Sequence, residues 1–342
     1  MTVSSPHHCG RLDRPPPAGA CLRLPDSFGK RVAVFVDTEE EFDWSMPPSR
    51  EARSTGAAES LPIIHKRLKS YGVRPIYLID HPIATDLRCV ATLREFQDSG
   101  ECTVGTQLHP WVNPPFEEEL TGRNSYAGNL PIALERAKLI RLTDTIEAAF
   151  GKRPEVYRAG RYGVGPNTAG LLAELGYRAD VSVRSLFDYS GEGGPDFSRT
   201  GPVPYRVGTT GLVEIPLTAV YVGALRRHGA LYRAAGHVPR LRGVLDRTGL
   251  IGRVALTPEG MPLAEVRDAV DRLLDDGLQL FSISFHSPSV EPGNTPYVRN
   301  ARDLDLFYAW WDGIFDHLSR RGISPASMSE CLAAVAEAKP LG

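Results

Sequence analysis

Five segments of this 342-residue chain put an acid, an arginine or a histidine where an apolar run stops: V-A-V-F-V-D-T-E-E, P-I-Y-L-I-D-H, T-V-G-T-Q-L-H-P-W, V-Y-R-A-G-R-Y-G and F-S-I-S-F-H-S. The first crowds Glu39, Glu40, Glu41 and Asp43 into five residues behind Asp37. Acids are depleted in strands, so a buried strand does not end this way by propensity. In an extended chain Asp37 and Glu39 point to one side, which suits one carboxylate to hold a divalent metal and the other to act as a base. His109 follows a short strand directly. Held by Pro110 and flanked by Trp111, it reads as a rigid pocket wall with an imidazole suited to zinc or a similar metal. Arg158 and Arg161 sit at a strand end and tight turn, and Arg158 is placed to hold a catalytic acid in its charged form by an ion pair. His286 ends the last strong strand and is a general-acid candidate. Asp180 opens a strand and is placed to orient an arginine or a histidine; Asp80 and His81 are placed to line a substrate cleft. Each feature has a plain alternative: a solvated acidic loop, a structural histidine, an arginine bridging loops. Their recurrence at strand ends favours a shared pocket, because a β/α barrel collects its active site at the carboxyl ends of its strands.

Those ends need a platform, and the hydrophobic pattern supplies one. Strands are expected over 31–37, 73–80, 101–105, 155–159, 180–183, 212–217 and 279–285, with helices over 59–70, 86–98, 131–149, 166–176, 262–275 and 301–320. The first strand is a continuous apolar run, the mark of a strand buried on both faces. Alternation of strand and helix predicts a parallel α/β sheet, and right-handed crossovers bring every strand's carboxyl end to one side. The chemistry-bearing residues come from strand ends all along the chain, which favours a closed or nearly closed barrel over an open sheet with one switch point. No G-x-G-x-x-G and no P-loop string is present, so a nucleotide fold lacks its phosphate cradle. Residues 1–29, rich in Pro, Gly and Arg and including His7 and His8, are expected to be a mostly disordered leader. Residues 30–340 form one domain, with an irregular insertion around 185–254 whose second half is basic.

Composition narrows the class. The chain is 42% hydrophobic and 23% charged, and its 39 basic and 41 acidic residues give a formal net charge of -2. That balance argues against nucleic acid or a polybasic membrane surface as the main partner. Five scattered cysteines without a C-x-x-C pair read as free thiols. No apolar run is long enough for a membrane span, and the opening residues carry no apolar signal core, so a reducing cytoplasm is the expected location.

Taken in order, these motifs resemble the polysaccharide deacetylase family of metal-dependent amide hydrolases, over about residues 31–335. The D-T-E-E-E-F-D-W and Q-L-H-P-W-V-N-P-P strings are most similar to a divergent bacterial branch, the WalW-like one. The resemblance implies an α/β fold, a distorted (β/α)7-type barrel. It also implies a hydrolase of amide C–N bonds that deacetylates an N-acetylated sugar or glycoconjugate with a divalent metal, zinc or similar. By resemblance Asp37 is the base, Glu39 the metal carboxylate, Arg158 the tether of the base and His286 the acid, with Asp180 at the family's later aspartate. The family's pair of metal histidines, four residues apart, is reduced here to one imidazole. Either Gln107 and Trp111 stand at the pair, or His109 and Asn113 do, so the implied metal set is Glu39, His109 and an amide oxygen of Gln107 or Asn113. Trp44, Trp111 and Tyr162 would form a sugar-stacking wall, with Asp80 beside it. The incomplete pair leaves two further readings: a degenerate barrel that binds a glycan or a partner without hydrolysis, and a metal-free hydrolase or lyase working with Asp37, His109 and His286.

Overall fold

The first strand, Arg31–Thr38, sorts its side chains by parity. Val32, Val34 and Val36 pack outward with the helices. Ala33 and Phe35 pack inward with Ile76, Leu78, Val156, Ala179, Val181, Val213 and Leu280, as a period of two requires. The computed structural model in which this is seen describes residues 10–341 apart from 237 and 239. Besides a two-residue parallel strand, Ser324–Pro325, on the edge of the first, six more parallel strands share the sheet: second Ile76–Ile79, third Thr103–Leu108, fourth Val156–Ala159, fifth Ala179–Asp180, sixth Val213–Glu214 and seventh Leu280–His286. Their spatial order runs seventh, first, second, third, fourth, fifth, sixth. Between the sixth and seventh strands the sheet closes without a ladder. The amides of Ser282 and Ser284 donate to the Thr218 hydroxyl (2.9 Å) and the Leu256 carbonyl (3.3 Å), and the Leu256 amide donates to the Thr218 carbonyl (3.0 Å). The result is a distorted (β/α)7-type barrel, with helices Leu61–Ser70, Leu87–Asp98, Ile132–Phe150, Thr168–Glu174, Leu263–Asp275 and Ala301–Arg320 close to their expected places.

Parity also decides what reaches the barrel mouth. Asp37 continues the inward series Ala33, Phe35, and Arg158 continues Val156. Register does the rest, because Asp37 lies opposite His286 on the seventh strand and Gln107 lies opposite Arg158 on the fourth. Asp180 is out of phase, since Ala179 and Val181 on either side of it point inward.

The expectation of a disordered leader does not hold from residue 10 onward; His7 and His8 lie outside the described residues. Leu12 is fully buried, and Leu22–Arg23 pairs antiparallel with Lys339–Pro340. The Gln279 side chain bonds both the amide and the carbonyl of Leu24 (3.0 Å each). Leu22, Leu24 and Phe28 join the inner cluster beside the helix Met328–Glu337 and plug the barrel at the amino ends of its strands. These apolar residues have no period, so local pattern could not show that tertiary gaps receive them. In the insertion, an antiparallel pair, Ala219–Val222 with Gly252–Ala255, carries two short helices, Gly229–Ala235 and Leu241–Arg247. Among the described residues no helix is long and apolar enough to cross a membrane, and Cys21, Cys89, Cys102 and Cys331 are free thiols.

Candidate active site

At the mouth lies a cleft of about 690 Å³, within the size range of ligand pockets. Asp37, Glu39, Gln107, His109, Trp111, Tyr162, Trp44 and His286 line it. Asp37 is the junction of two interactions: Arg158 Nη1 donates to Oδ1, and His286 Nε2 stands 3.6 Å from Oδ2. The Asp37–Arg158 pair is almost wholly buried. A backbone anchor also holds the guanidinium, whose Nε donates to the Val181 carbonyl (3.1 Å).

His286 is held from behind by Glu259, a carboxylate the motif reading did not single out. Its Nδ1 lies 2.7 Å from Glu259 Oε2, and its own amide donates to Glu259 Oε1 (3.0 Å). Ser289 also donates to Oε1 (2.6 Å). Burial alone would lower the His286 pKa, but Glu259, Glu39 and Asp37 outweigh it and push it up to about 10. With Nδ1–H committed to Glu259, the second ring proton sits on Nε2 and faces Asp37 and the cleft. The edge of Trp44 packs against this ring at 4.8 Å between centroids.

His109, which also lines the cleft, has the same arrangement around Glu39. Its Nδ1 is 2.8 Å from Glu40 Oε2, and its Nε2 is 3.5 Å from Glu39 Oε2. The carboxylate on Nδ1 assigns the ring proton to that nitrogen, which leaves the Nε2 lone pair toward Glu39. Trp111 stacks on the ring (4.3 Å between centroids) and donates its indole N–H to Glu40 Oε1 (2.7 Å). Gly160 allows this packing, since a Cβ there would stand 2.3 Å from His109 Cδ2. Burial pushes the Glu39 carboxyl up to about 8, against the opposing pull of the His286 and His109 rings. Gln107 Nε2 donates to Glu39 Oε2 (2.9 Å), while Glu39 Oε1 and Gln107 Oε1 are buried with no partner.

Two groups here have the ligand types a metal needs. Glu40, Asp80 and His109 offer atoms within 4.8 Å of one another, all buried. Hydrogen bonds already use those atoms. Asp80 Oδ1 accepts from the Ile83 amide (2.9 Å) and Oδ2 from the Glu40 amide (2.8 Å). Burial first, and the Glu40 carboxyl second, hold Asp80 well above the usual carboxylate range. The group therefore orients His109 from behind. The other set, Glu39, His109 Nε2 and Gln107, belongs to residues that line the cleft, and two of its oxygens are buried without a partner. One carboxylate, one imidazole and one amide oxygen fit a divalent cation that keeps open positions.

Four expected site residues do not line the cleft: Arg158 stands behind Asp37, and Asp180, Asp80 and Asn113 are turned to other partners. Asp180 faces the outer side of its strand, takes the Ser182 hydroxyl (2.6 Å) and lies beside Glu214. Asp80 caps the helix His81–Thr85 behind His109. Asn113 turns away from Glu39: its amide donates to the carbonyls of Pro114 (2.8 Å) and Lys138 (3.0 Å). The cause is Lys138, buried under this loop and donating to the carbonyls of Pro110, Asn113 and Pro115. Glu259 could have been found by the strand-end rule itself, since R-V-A-L-T-P-E-G is another apolar run stopping at an acid.

No protein-family model matches the chain, and no curated protein does. Solved structures do. A candidate polysaccharide deacetylase from Mycobacterium smegmatis superposes with a TM-score of 0.54 at 18% identity, over 95% of this chain and 96% of that one. PuuE allantoinase superposes at 0.52 and 14% identity, over 97% of each chain. A GH57 branching enzyme from Thermococcus kodakaraensis gives 0.50 at 14% identity, over 90% of this chain and 71% of that one. At these identities the likeness is one of fold, and the fold is polysaccharide deacetylase-like.

Proposed function

We propose that this chain is a metal-dependent hydrolase of amide C–N bonds that removes acetyl groups from an N-acetylated sugar or glycoconjugate. The observation that carries the reading is the pair of glutamate–histidine–acid relays lining one cleft, one with its acid paired to Arg158 and the other with its acid, Glu39, held by no guanidinium. The name of the Mycobacterium smegmatis neighbour supports the same chemistry.

Asp37 is the base. Arg158 occupies Oδ1, so Oδ2 is the oxygen free to take a proton from the attacking water. His286 is the acid: its pKa, pushed up to about 10, keeps both ring protons in place through neutral pH, and Nε2–H is aimed at the cleft to protonate the departing nitrogen. Glu259 fixes that ring and stabilises its charge. Glu39, His109 and Gln107 would hold the divalent cation, which supplies Lewis acidity toward water and an acyl oxygen. Glu40 keeps the Nδ1 proton on His109, so that Nε2 presents a lone pair. Trp44 and Tyr162 form the aromatic wall on which a sugar face packs.

The test is acetate release from N-acetylated glucosamine oligomers by the purified chain with added zinc, cobalt or nickel, alongside elemental analysis. Release that requires the metal and disappears in Asp37→Asn supports the reading. No release and no bound metal overturn it, and glycan binding that survives Asp37→Asn without turnover identifies a degenerate, binding-only barrel.

A further inference from the structure

Arg184 is the cleft cation without an acid. Arg158 is paired with Asp37, Arg161 with Glu192, and His286 with Glu259. Among the described residues Arg184 has no carboxylate within ion-pair distance; its one side-chain hydrogen bond runs from Nη1 to the Tyr189 hydroxyl, at 3.3 Å. It does not swing free. Its guanidinium carbon lies 4.0 Å from the centre of the Phe187 ring and 5.3 Å from that of Tyr162. Its backbone is tied into the sheet by a parallel bridge to Leu217. Stacking on two rings fixes the plane of the fork and leaves its edge for the cleft.

A second arginine increases the imbalance. Arg253 stacks on the same Phe187 ring at 3.4 Å and donates Nη1 to the Leu186 carbonyl (2.9 Å). It too lacks a carboxylate partner among the described residues. Two guanidinium groups thus share one phenyl ring with no acid between them. Of the two, Arg184 lines the cleft, and its planar fork matches a carboxylate or phosphate by paired hydrogen bonds.

We infer that the cleft selects an anionic saccharide, with Arg184 binding a carboxylate or phosphate carried by the sugar. The inference deepens the deacetylase reading and rests on it for the sugar, but not for the hydrolysis. Arg184 is a specificity residue, since it stands apart from the Asp37–His286 pair.

The experiment is equilibrium binding of three matched probes to the full chain: N-acetylglucosamine, N-acetylmuramic acid, which adds a carboxylate, and N-acetylglucosamine 6-phosphate. The acidic probes are expected to bind about tenfold more tightly or better, the scale of one charge-assisted hydrogen bond, with a preference that fades as salt rises. Whichever acidic probe binds more tightly identifies the anion. Arg184→Gln is expected to remove the preference for the acidic probes, and Arg184→Lys to keep part of it. Equal affinity of the wild-type chain for all three probes overturns the inference without any variant. So does a preference that survives Arg184→Gln, or no binding of any probe. Preference without acetate release removes the hydrolase reading alone; acetate release without preference removes this inference alone.

Discussion

The two histidines of the mouth are built alike and do different work. Each gives Nδ1 to a buried glutamate, Glu259 at 2.7 Å or Glu40 at 2.8 Å, and each turns Nε2 to an acid of the D-T-E string, Asp37 at 3.6 Å or Glu39 at 3.5 Å. The difference lies in what stands beyond. Asp37 has the Arg158 guanidinium, so that side is balanced and poised to pass protons. Glu39 has the Gln107 amide and no guanidinium, and burial lifts its carboxyl to about 8 against the pull of the two histidine rings. The same three-residue geometry thus makes an acid–base station where a fixed cation is built in, and a cation-binding station where none is.

The strongest way to break this comparison is Asp37→Asn, expected to lower acetate release by about 10²–10⁴-fold, the range for a positioned general base, with unfolding unchanged in character by circular dichroism. Arg158→Met is expected to destabilise the fold by about 3–5 kcal/mol in denaturant titration, because a buried carboxylate is left without its partner. A loss near zero would show that Asp37 is not held by that pair. On the other station, Glu40→Gln is expected to weaken metal affinity by about 10–100-fold, the usual effect of losing the group behind a ligating histidine, with Asp37 and His286 unaffected; direct metal titration reads it.

The two stations also differ in the pH windows they set in the metal-free protein. His286 keeps its proton up to about 10 when folded against an ordinary 6.5, so its contribution is complete below 6.5 and is lost as pH rises through about 10. Glu39 keeps its proton up to about 8 when folded against an ordinary 4.5, so stability also falls between those values as the unfolded chain ionises first. His286→Gln is expected to flatten the upper window and Glu39→Gln the lower one in melting temperature against pH. Two variants with the same profile would mean that the stations do not titrate separately. The smallest effect is expected for Trp111→Phe, which removes one donor from Glu40 and costs about 1–3 kcal/mol.

Most of the mouth was legible in the motifs because strand parity is strict. Once Val-Ala-Val-Phe-Val is read as a buried strand, Asp37 and Glu39 must share a face, and His286 ends its own strand in the same way. What failed was local in form and tertiary in cause. Asp180 sits one residue out of phase with its inward neighbours. Asn113 was drawn aside by a lysine buried 25 residues further along the chain. Glu259 and Arg184 each follow an apolar run directly, as the strand-end rule requires, but what each would face was not written in the run. The leader carries apolar residues at intervals that match no element, yet from residue 10 onward it closes the barrel floor.

The sequence by itself determined the alternation of strands and helices, the face on which each strand-end acid lies, and the order in which the chemical groups enter the barrel, since all of these follow from backbone periodicity and handedness. Only the tertiary structure decided which glutamate stands behind which histidine, which carboxylates are buried side by side and which arginine is left without an acid. Those outcomes depend on distances between residues far apart in the chain and on how completely water is removed around them, and no local pattern carries either quantity.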